Sequence, residues 1–446
     1  MKILHDFCIK PSITTTLPSK PIRLTGIESV TLPMYISVVC YFKKPSNLSS
    51  KEEFMPHWQL LDSLKQTIDI IPVVSGLLRA IADNSWEISF ERNSMPGVHF
   101  SVAQTTSTFP DAGSSAFQPA EVAEDLCPMG LFAQKLPSPL FAARLTRYPC
   151  GSVALGINMH HRIADFSSVD LFLKLWGQVT RGIGYDKIMW DPSAITPRGN
   201  VDGTDYSPDF EVDSQVSEEV SQNAAKLEMR SFVFSKEALR ELKAAAACKI
   251  DDKEAWISTH DALLAHLWSA ITRARRVDGD QEVTCGIVID TRPKFEPQLP
   301  ANSFGSLVIC KLTRLPADIV SSEEQVGRLA LSIRSAINQV NNIYLGQSLE
   351  WIEKQPDKSI IHPAISRNIP ESYVLSSSWA KFAIYGVDFG YGTPTRVMTP
   401  PLPFEGALII LPSPLHWPEG GLNVLITLRT DVLETLEADK IFSNNF

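Results

Sequence analysis

Apolar and polar positions alternate with a period of two in three separated stretches. Val153, Leu155, Ile157 and Met159 alternate with smaller or polar residues ahead of His160. Val283, Cys285, Ile287 and Ile289 do so before Asp290, and Val424, Ile426 and Leu428 repeat the pattern near the end. Successive side chains on a strand point to opposite faces, so this spacing with β-branched content predicts half-buried strands. Elsewhere the apolar period lengthens to that of a helix. Val169, Phe172, Leu173, Trp176 and Val179 share one face of a predicted helix that stops at Gly182. Leu263, Leu264, Leu267, Trp268 and Ile271 share another, with Ser258 as its N-cap and Asp261 in a variant of the capping box. Val326, Leu329, Ile333, Ile337 and Val340 mark a third, opened by Ser322. Strands and helices mixed through both halves predict an α/β or α+β class.

The periodicity fails between about 191 and 225. Pro192, Pro197, Gly199, Gly203 and Pro208 stand there among Asp202, Asp205, Asp209, Glu211 and Asp213, which predicts an acidic, solvated crossover linker. It divides the 446 residues into an N-terminal domain over 1–190 and a C-terminal domain over 226–446. Net charge is −9, which argues against a nucleic-acid footprint. A local basic rim for an anionic ligand remains compatible with it. The seven cysteines are scattered without a Cys-x-x-Cys pair, as expected of free thiols in a reducing, cytoplasmic compartment. The opening MKILHDFCIKPS has no apolar core and cleavage site of a signal peptide. No apolar run is long enough to span a bilayer, so no membrane partner is expected.

The stretch Met159-His160-His161-Arg162-Ile163-Ala164-Asp165 follows a predicted strand and precedes a predicted helix. Such a loop is exposed while its flanks are rigid, a common place for reacting groups. A neutral imidazole suits a general base near pH 7, provided a partner fixes its tautomer. Spacing alone is a weak signal: a histidine has an aspartate four residues on by chance in roughly one case in twenty. A second stretch, Asp388-Phe389-Gly390-Tyr391-Gly392, sets two glycines around an aromatic, and a structural turn is the favoured reading. A protein-kinase reading of Asp-Phe-Gly fails, because neither the glycine-rich phosphate loop nor a His-Arg-Asp loop is present.

Together the two stretches resemble the signatures of the BAHD acyltransferases, the coenzyme-A-dependent family that includes the trichothecene acetyltransferases. His-x-x-x-Asp stands at His161 to Asp165 and the Asp-Phe-Gly-Trp-Gly-like motif at Asp388 to Gly392, in the family's order and separation. LDSLKQTIDIIPVVSGLLR, STHDALLAHLWSAITRAR, IDTRPKFEPQLPANSFGSLV and SSSWAKF resemble further segments of the family in sequence order, so the resemblance covers nearly the whole chain. It implies two domains like chloramphenicol acetyltransferase units, an active-site channel at their interface, and a segment over about 379–395 that packs back onto the first domain. It implies His161 as the base, Asp165 paired with Arg292 as a brace, and Trp379, with Ser377, as oxyanion donor. Asp388, Gly390 and Gly392 would support the site, and Ser258 would lie near the coenzyme channel. Acyl-CoA would be a co-substrate with no permanently bound cofactor, the acceptor a small specialised metabolite, and the protein a monomer. Three departures bear on substrate choice or backbone: Phe166 where glycine is common, Ser306 where asparagine is common, and Tyr391 where tryptophan is usual. Phe166 would either be strained or narrow the tunnel beside the histidine.

Read without the resemblance, the chain offers a base but no activated covalent nucleophile. No Gly-x-Ser-x-Gly occurs and no cysteine adjoins a histidine. His260 and His266 lack the spacing of a helical zinc pair, so no metal is expected. Arg273, Arg275 and Arg276 are expected to face water and complement the helix dipole, with coenzyme phosphates as the other possibility. Two other functions fit the same base: condensation or cyclisation with a carrier-bound donor, and a non-catalytic binding protein on this fold.

Overall fold

The computed structural model describes all residues except 49–52, 82–83, 133–136, 193–194, 196–208, 213–226, 251, 253–254, 359, 365–371, 418–419 and 445–446. Most of the expected linker over 191–225 therefore lies outside the described residues. The first half contributes β1 (Lys2–Ile9), β2 (Tyr35–Phe42), β3 (Val98–Gln104), β4 (Phe141–Arg147) and β5 (Val153–His160), with helices α1 (His57–Ile70) and α2 (Phe166–Thr180). The second contributes β6 (Leu227–Phe234), β7 (Glu282–Asp290), β8 (Val308–Pro316), β9 (Tyr373–Ser378), β10 (Arg396–Met398), β11 (Ala407–Pro412) and β12 (Leu422–Arg429), with α3 (Thr259–Arg275) and α4 (Val326–Gln339).

Two six-stranded sheets result, in the orders β1-β3-β4-β5-β2-β10 and β6-β12-β11-β9-β7-β8. Strand β10 comes from the second half yet pairs with β2, Arg396 opposite Tyr41. Trp379, Tyr385, Val387 and Phe389 accordingly join the apolar core built on the first sheet, while α3 and α4 pack in a second core. The fold is a mixed α/β assembly of two sheet-containing units. No helix among the described residues is long and apolar enough to cross a membrane.

The expected half-buried strand over Val153–Met159 is buried at every position of β5. Its small and polar residues are covered as well. A Cβ at Gly156 would stand 2.0 Å from the Leu126 carbonyl oxygen, so only glycine lets that segment lie so close. Asn158 Oδ1 accepts from Met129 N–H at 2.9 Å and its Nδ2 donates to Met129 O, which satisfies a buried amide against the same segment. The third helix starts later than expected: Ser322 precedes a short 3-10 turn, and α4 opens at Val326. Ser258 and Asp261 form the reciprocal capping box at the start of α3. The arginines that end α3 depart from expectation. Arg275 is nearly sealed and bonds Glu405 and the Tyr373 carbonyl, and Arg273 bonds Asp439; only Arg276 is exposed. Carboxylates brought in from distant segments claim charges that the helix alone would have left in water.

A close approach ties the Asp388 loop to the first sheet's helices. Gly177 on α2 faces the Asp388 carbonyl oxygen, which an added Cβ would meet at 2.6 Å. Gly177→Ala is therefore expected to destabilise the fold by about 1–3 kcal/mol, since overpacking against backbone outweighs alanine's better helix propensity. Chemical denaturation checks this; an unchanged or higher midpoint would show that the loop yields freely.

Candidate active site

The site forms where the end of β5, the turn after β7 and the end of β9 converge. His161 follows β5 directly, and its backbone N–H donates to the Met34 carbonyl at 2.8 Å. Its Nδ1 lies 3.2 Å from Ser306 Oγ, and Ser306 Oγ lies 3.3 Å from Thr31 Oγ1. The Thr31 hydroxyl donates to the Ile27 carbonyl at 3.0 Å. A carbonyl can only accept, so this chain has one direction that uses every proton once. Thr31 gives its proton to Ile27, Ser306 to Thr31, and His161 Nδ1–H to Ser306. The remaining nitrogen, Nε2, is then the basic one. Burial pulls the His161 imidazole below its ordinary 6.5, with Asp165 and backbone acceptors opposing only in part, so the ring is neutral near pH 7.

The neighbouring histidine is a different case. His160 is buried against Tyr35, its Nδ1 accepts the Arg162 backbone N–H at 3.2 Å, and burial depresses it to about 3. It is a packed, uncharged core residue. Of the doublet, only His161 joins the Ser306–Thr31 chain.

Asp165 caps α2, its Oδ1 accepting the Ser168 N–H at 2.9 Å. It makes no hydrogen bond to His161. Arg292 grips it through two bonds, Nη1 to Oδ2 at 2.7 Å and Nη2 to Oδ1 at 3.1 Å, and both side chains are almost fully buried. Leu307 N–H donates to the same carboxylate at 3.0 Å. Arg292 also donates to the Ser303 and Gly305 carbonyls and to Asp290. One guanidinium thus holds both the cap of the helix behind His161 and the turn that carries Ser306. Lys381 extends the network by donating to Asp290 at 2.9 Å.

Trp379 directly follows β9, is nearly buried, and lies flat on Phe166 with ring centroids 3.7 Å apart. Phe166 is the first residue of α2 with ordinary helical backbone, so phenylalanine in place of glycine brings no positive φ. It provides a stacking platform. The Trp379 indole N–H donates to Ser377 Oγ at 3.0 Å, so the two candidate oxyanion donors bond each other. With its oxygen accepting from Trp379, the Ser377 hydroxyl has its own proton to offer elsewhere.

The remaining candidates lie outside this cluster. Asp388 Oδ1 accepts from the backbone N–H groups of Gly390, Tyr391 and Gly392, the last at 3.1 Å. Gly390 and Gly392 have φ of 94° and 89°, values that tolerate no ordinary side chain. Tyr391 reaches Gln59 on α1 through its hydroxyl at 2.6 Å. Ser258 accepts the Asp261 N–H in its capping box and makes no bond to the His161 cluster. Among the described residues no group of three or more histidine, cysteine or acidic side chains is placed to hold a metal. Ser306 stood out in the sequence only as a departure, and Thr31 and Met34 carried no signal: they sit in another segment and act through one hydroxyl and two carbonyls.

The profile of the Transferase family matches residues 2–442. The chain is similar to the shikimate O-hydroxycinnamoyltransferase of Nicotiana tabacum, 25% identical over 98% of both chains. It is 23% identical to tryptamine benzoyltransferase 2 of Oryza sativa subsp. japonica, over 98% of this chain and 97% of that one. Among solved structures, F. sporotrichioides TRI101 complexed with Coenzyme A and T-2 superposes with a TM-score of 0.81 at 21% identity, over 96% of this chain and 99% of the other.

Proposed function

Since the chain belongs to the Transferase family, the BAHD acyltransferases, and is an acyltransferase, we propose that it moves an acyl group from acyl-CoA to a hydroxyl or amine of a small specialised metabolite, with His161 as general base. The carrying observation is the directed chain His161–Ser306–Thr31–Ile27, which puts the proton of the neutral ring on Nδ1 and leaves Nε2 as the basic nitrogen, while burial favours the neutral ring. An alcohol near pKa 16 does not attack a thioester unaided at neutral pH, so proton removal during attack is the main demand. His161 Nε2 takes the acceptor proton as the acceptor oxygen or nitrogen bonds to the thioester carbonyl carbon. The carbonyl oxygen becomes an oxyanion, which the Ser377 hydroxyl meets while Trp379 fixes that hydroxyl from behind. As the intermediate collapses, the C–S bond breaks and the imidazolium returns its proton to the departing CoA sulfur. No acyl-enzyme forms. Asp165 positions the loop and relays no charge, because its oxygens face Arg292 and backbone donors.

Relatives whose names specify an alcohol, shikimate, and an amine, tryptamine, support both acceptor chemistries, and a neighbour solved with Coenzyme A supports the donor. The direct test of the donor is a thermal-melt titration with free CoA, acetyl-CoA and longer acyl-CoAs. Ligand at about a hundred times its dissociation constant adds roughly 2.7 kcal/mol, a shift of a few degrees in a chain of this size. A saturable shift supports the reading; no shift with any CoA species would point instead to a carrier-bound donor or a channel in which nothing reacts.

The base also sets a pH profile. His161 works only when neutral, and its folded value lies below 6.5. The acid limb of kcat/KM is therefore expected below 6.5, with the plateau holding as pH falls through that value. A limb at or above 6.5 would contradict a buried, desolvated base.

A further inference from the structure

Arg162, the residue after His161, is a buried guanidinium with no counter-charge among the described residues. It is only 6% exposed. Its Nε donates to the Thr31 carbonyl at 3.0 Å, and its Cζ lies 4.0 Å over the Trp86 ring. Among the described residues no carboxylate pairs with it, and neither terminal nitrogen has a hydrogen-bond acceptor. Burial alone, with no acidic neighbour opposing, lowers it to about 10. Trp86 Nε1 is likewise buried without an acceptor. Two other buried arginines frame the case: Arg292 has two carboxylates and two carbonyls around it, and Arg396 is sealed over Phe117 and Trp417 with Nε and Nη1 unpartnered, whereas the unpartnered terminal nitrogens of Arg162 are not sealed. A cation this far out of water, with open terminal N–H groups and no acceptor among the described residues, is a place where an anion from outside the chain would be held strongly.

Its placement says which anion. Thr31 joins the two groups: its carbonyl holds Arg162 and its hydroxyl supports Ser306, the partner of His161. The guanidinium and the imidazole therefore flank one residue. The flat face on Trp86 and the fixed Nε leave the Nη edge as the open side, the edge that matches a carboxylate with two parallel hydrogen bonds. Resting on the acyl-transfer reading above, we propose that Arg162 binds a carboxylate carried by one of the two substrates, so that the enzyme acts on an acidic acceptor or transfers the acyl group of a dicarboxylic acid.

The test is calorimetric titration of the CoA-saturated protein with benzoate, cinnamate and cyclohexanecarboxylate, each against its primary amide. Beside it, malonyl-CoA is titrated against butyryl-CoA. An acid bound about tenfold or more tightly than its amide, the order expected for a charge-assisted hydrogen bond, with the preference lost in Arg162→Met, places the carboxylate on the acceptor. A malonyl-over-butyryl preference lost in the same variant places it on the acyl group. Arg162→Gln repeats the comparison should the methionine variant fold poorly, and Arg162→Lys, charged but unable to pair bidentately, should fall between. No acid preference in either arm, or a preference that survives the loss of Arg162, overturns the proposal. Failure of CoA itself to bind is seen separately and would sink the acyl-CoA reading instead.

Discussion

His161→Ala is expected to lower kcat at pH 7 by about 10²–10⁴-fold, the usual contribution of a positioned general base, while the CoA-dependent melting shift persists. The separation follows from the geometry. The imidazole bonds Ser306 and backbone carbonyls of its own loop, and that loop is held by a backbone bond to Met34 and by Asp165 and Arg292. Removing the ring therefore takes away the proton acceptor and leaves the scaffold in place. His160→Ala should behave in the opposite way, with stability reduced first, because His160 packs in the core and accepts the Arg162 backbone N–H. Rate measurements on both variants, with denaturation midpoints alongside, distinguish the two roles. Unchanged turnover in His161→Ala would remove it as the base.

Arg292→Ala is expected to cost about 3–5 kcal/mol of stability, because it leaves the Asp165 carboxylate buried without its partner. It should also lower kcat. Arg292 supports the Asp165 cap and, through Ser303 and Gly305, the turn that carries Ser306, so its loss reaches His161 from two sides. Asp165→Ala removes the same pair from the other end. The double variant should then lose less than the sum of the two single losses, a coupling that grows with how much the two side chains rely on each other. Fully additive losses would mean the pair does not brace the loop. Denaturant unfolding and kcat on the three variants give both readouts.

The family and the central residues of the site were legible because they are local. His161 and Asp165 sit at a strand end and a helix cap, and the alternation of β5 and the apolar face of α2 frame them on both sides. Arg292 was legible only through the resemblance, since nothing local says that a residue after β7 reaches the α2 cap. What stayed hidden depends on pairs of distant segments. The support of His161 by Ser306 and Thr31 joins segments with no shared pattern. Strand β5 looked half-buried because Gly156 and Asn158 lack apolar side chains, yet glycine admits the Leu126 backbone and asparagine bonds Met129. Arg273 and Arg275 looked solvent-facing because their carboxylates, Asp439 and Glu405, arrive from the far end of the chain. Trp379 and Ser377 were named together from the resemblance, but that the indole N–H is spent on the serine oxygen depends on how the chain turns after β9.

The most direct test of the account is mass spectrometry of reactions containing the purified protein, a panel of acyl-CoAs and a panel of small alcohols and amines. The account predicts an acylated acceptor and free CoA appearing in equal amounts, with no acyl group left on the protein. CoA release without an acylated acceptor, or an acylated protein that accumulates before product, would contradict direct transfer.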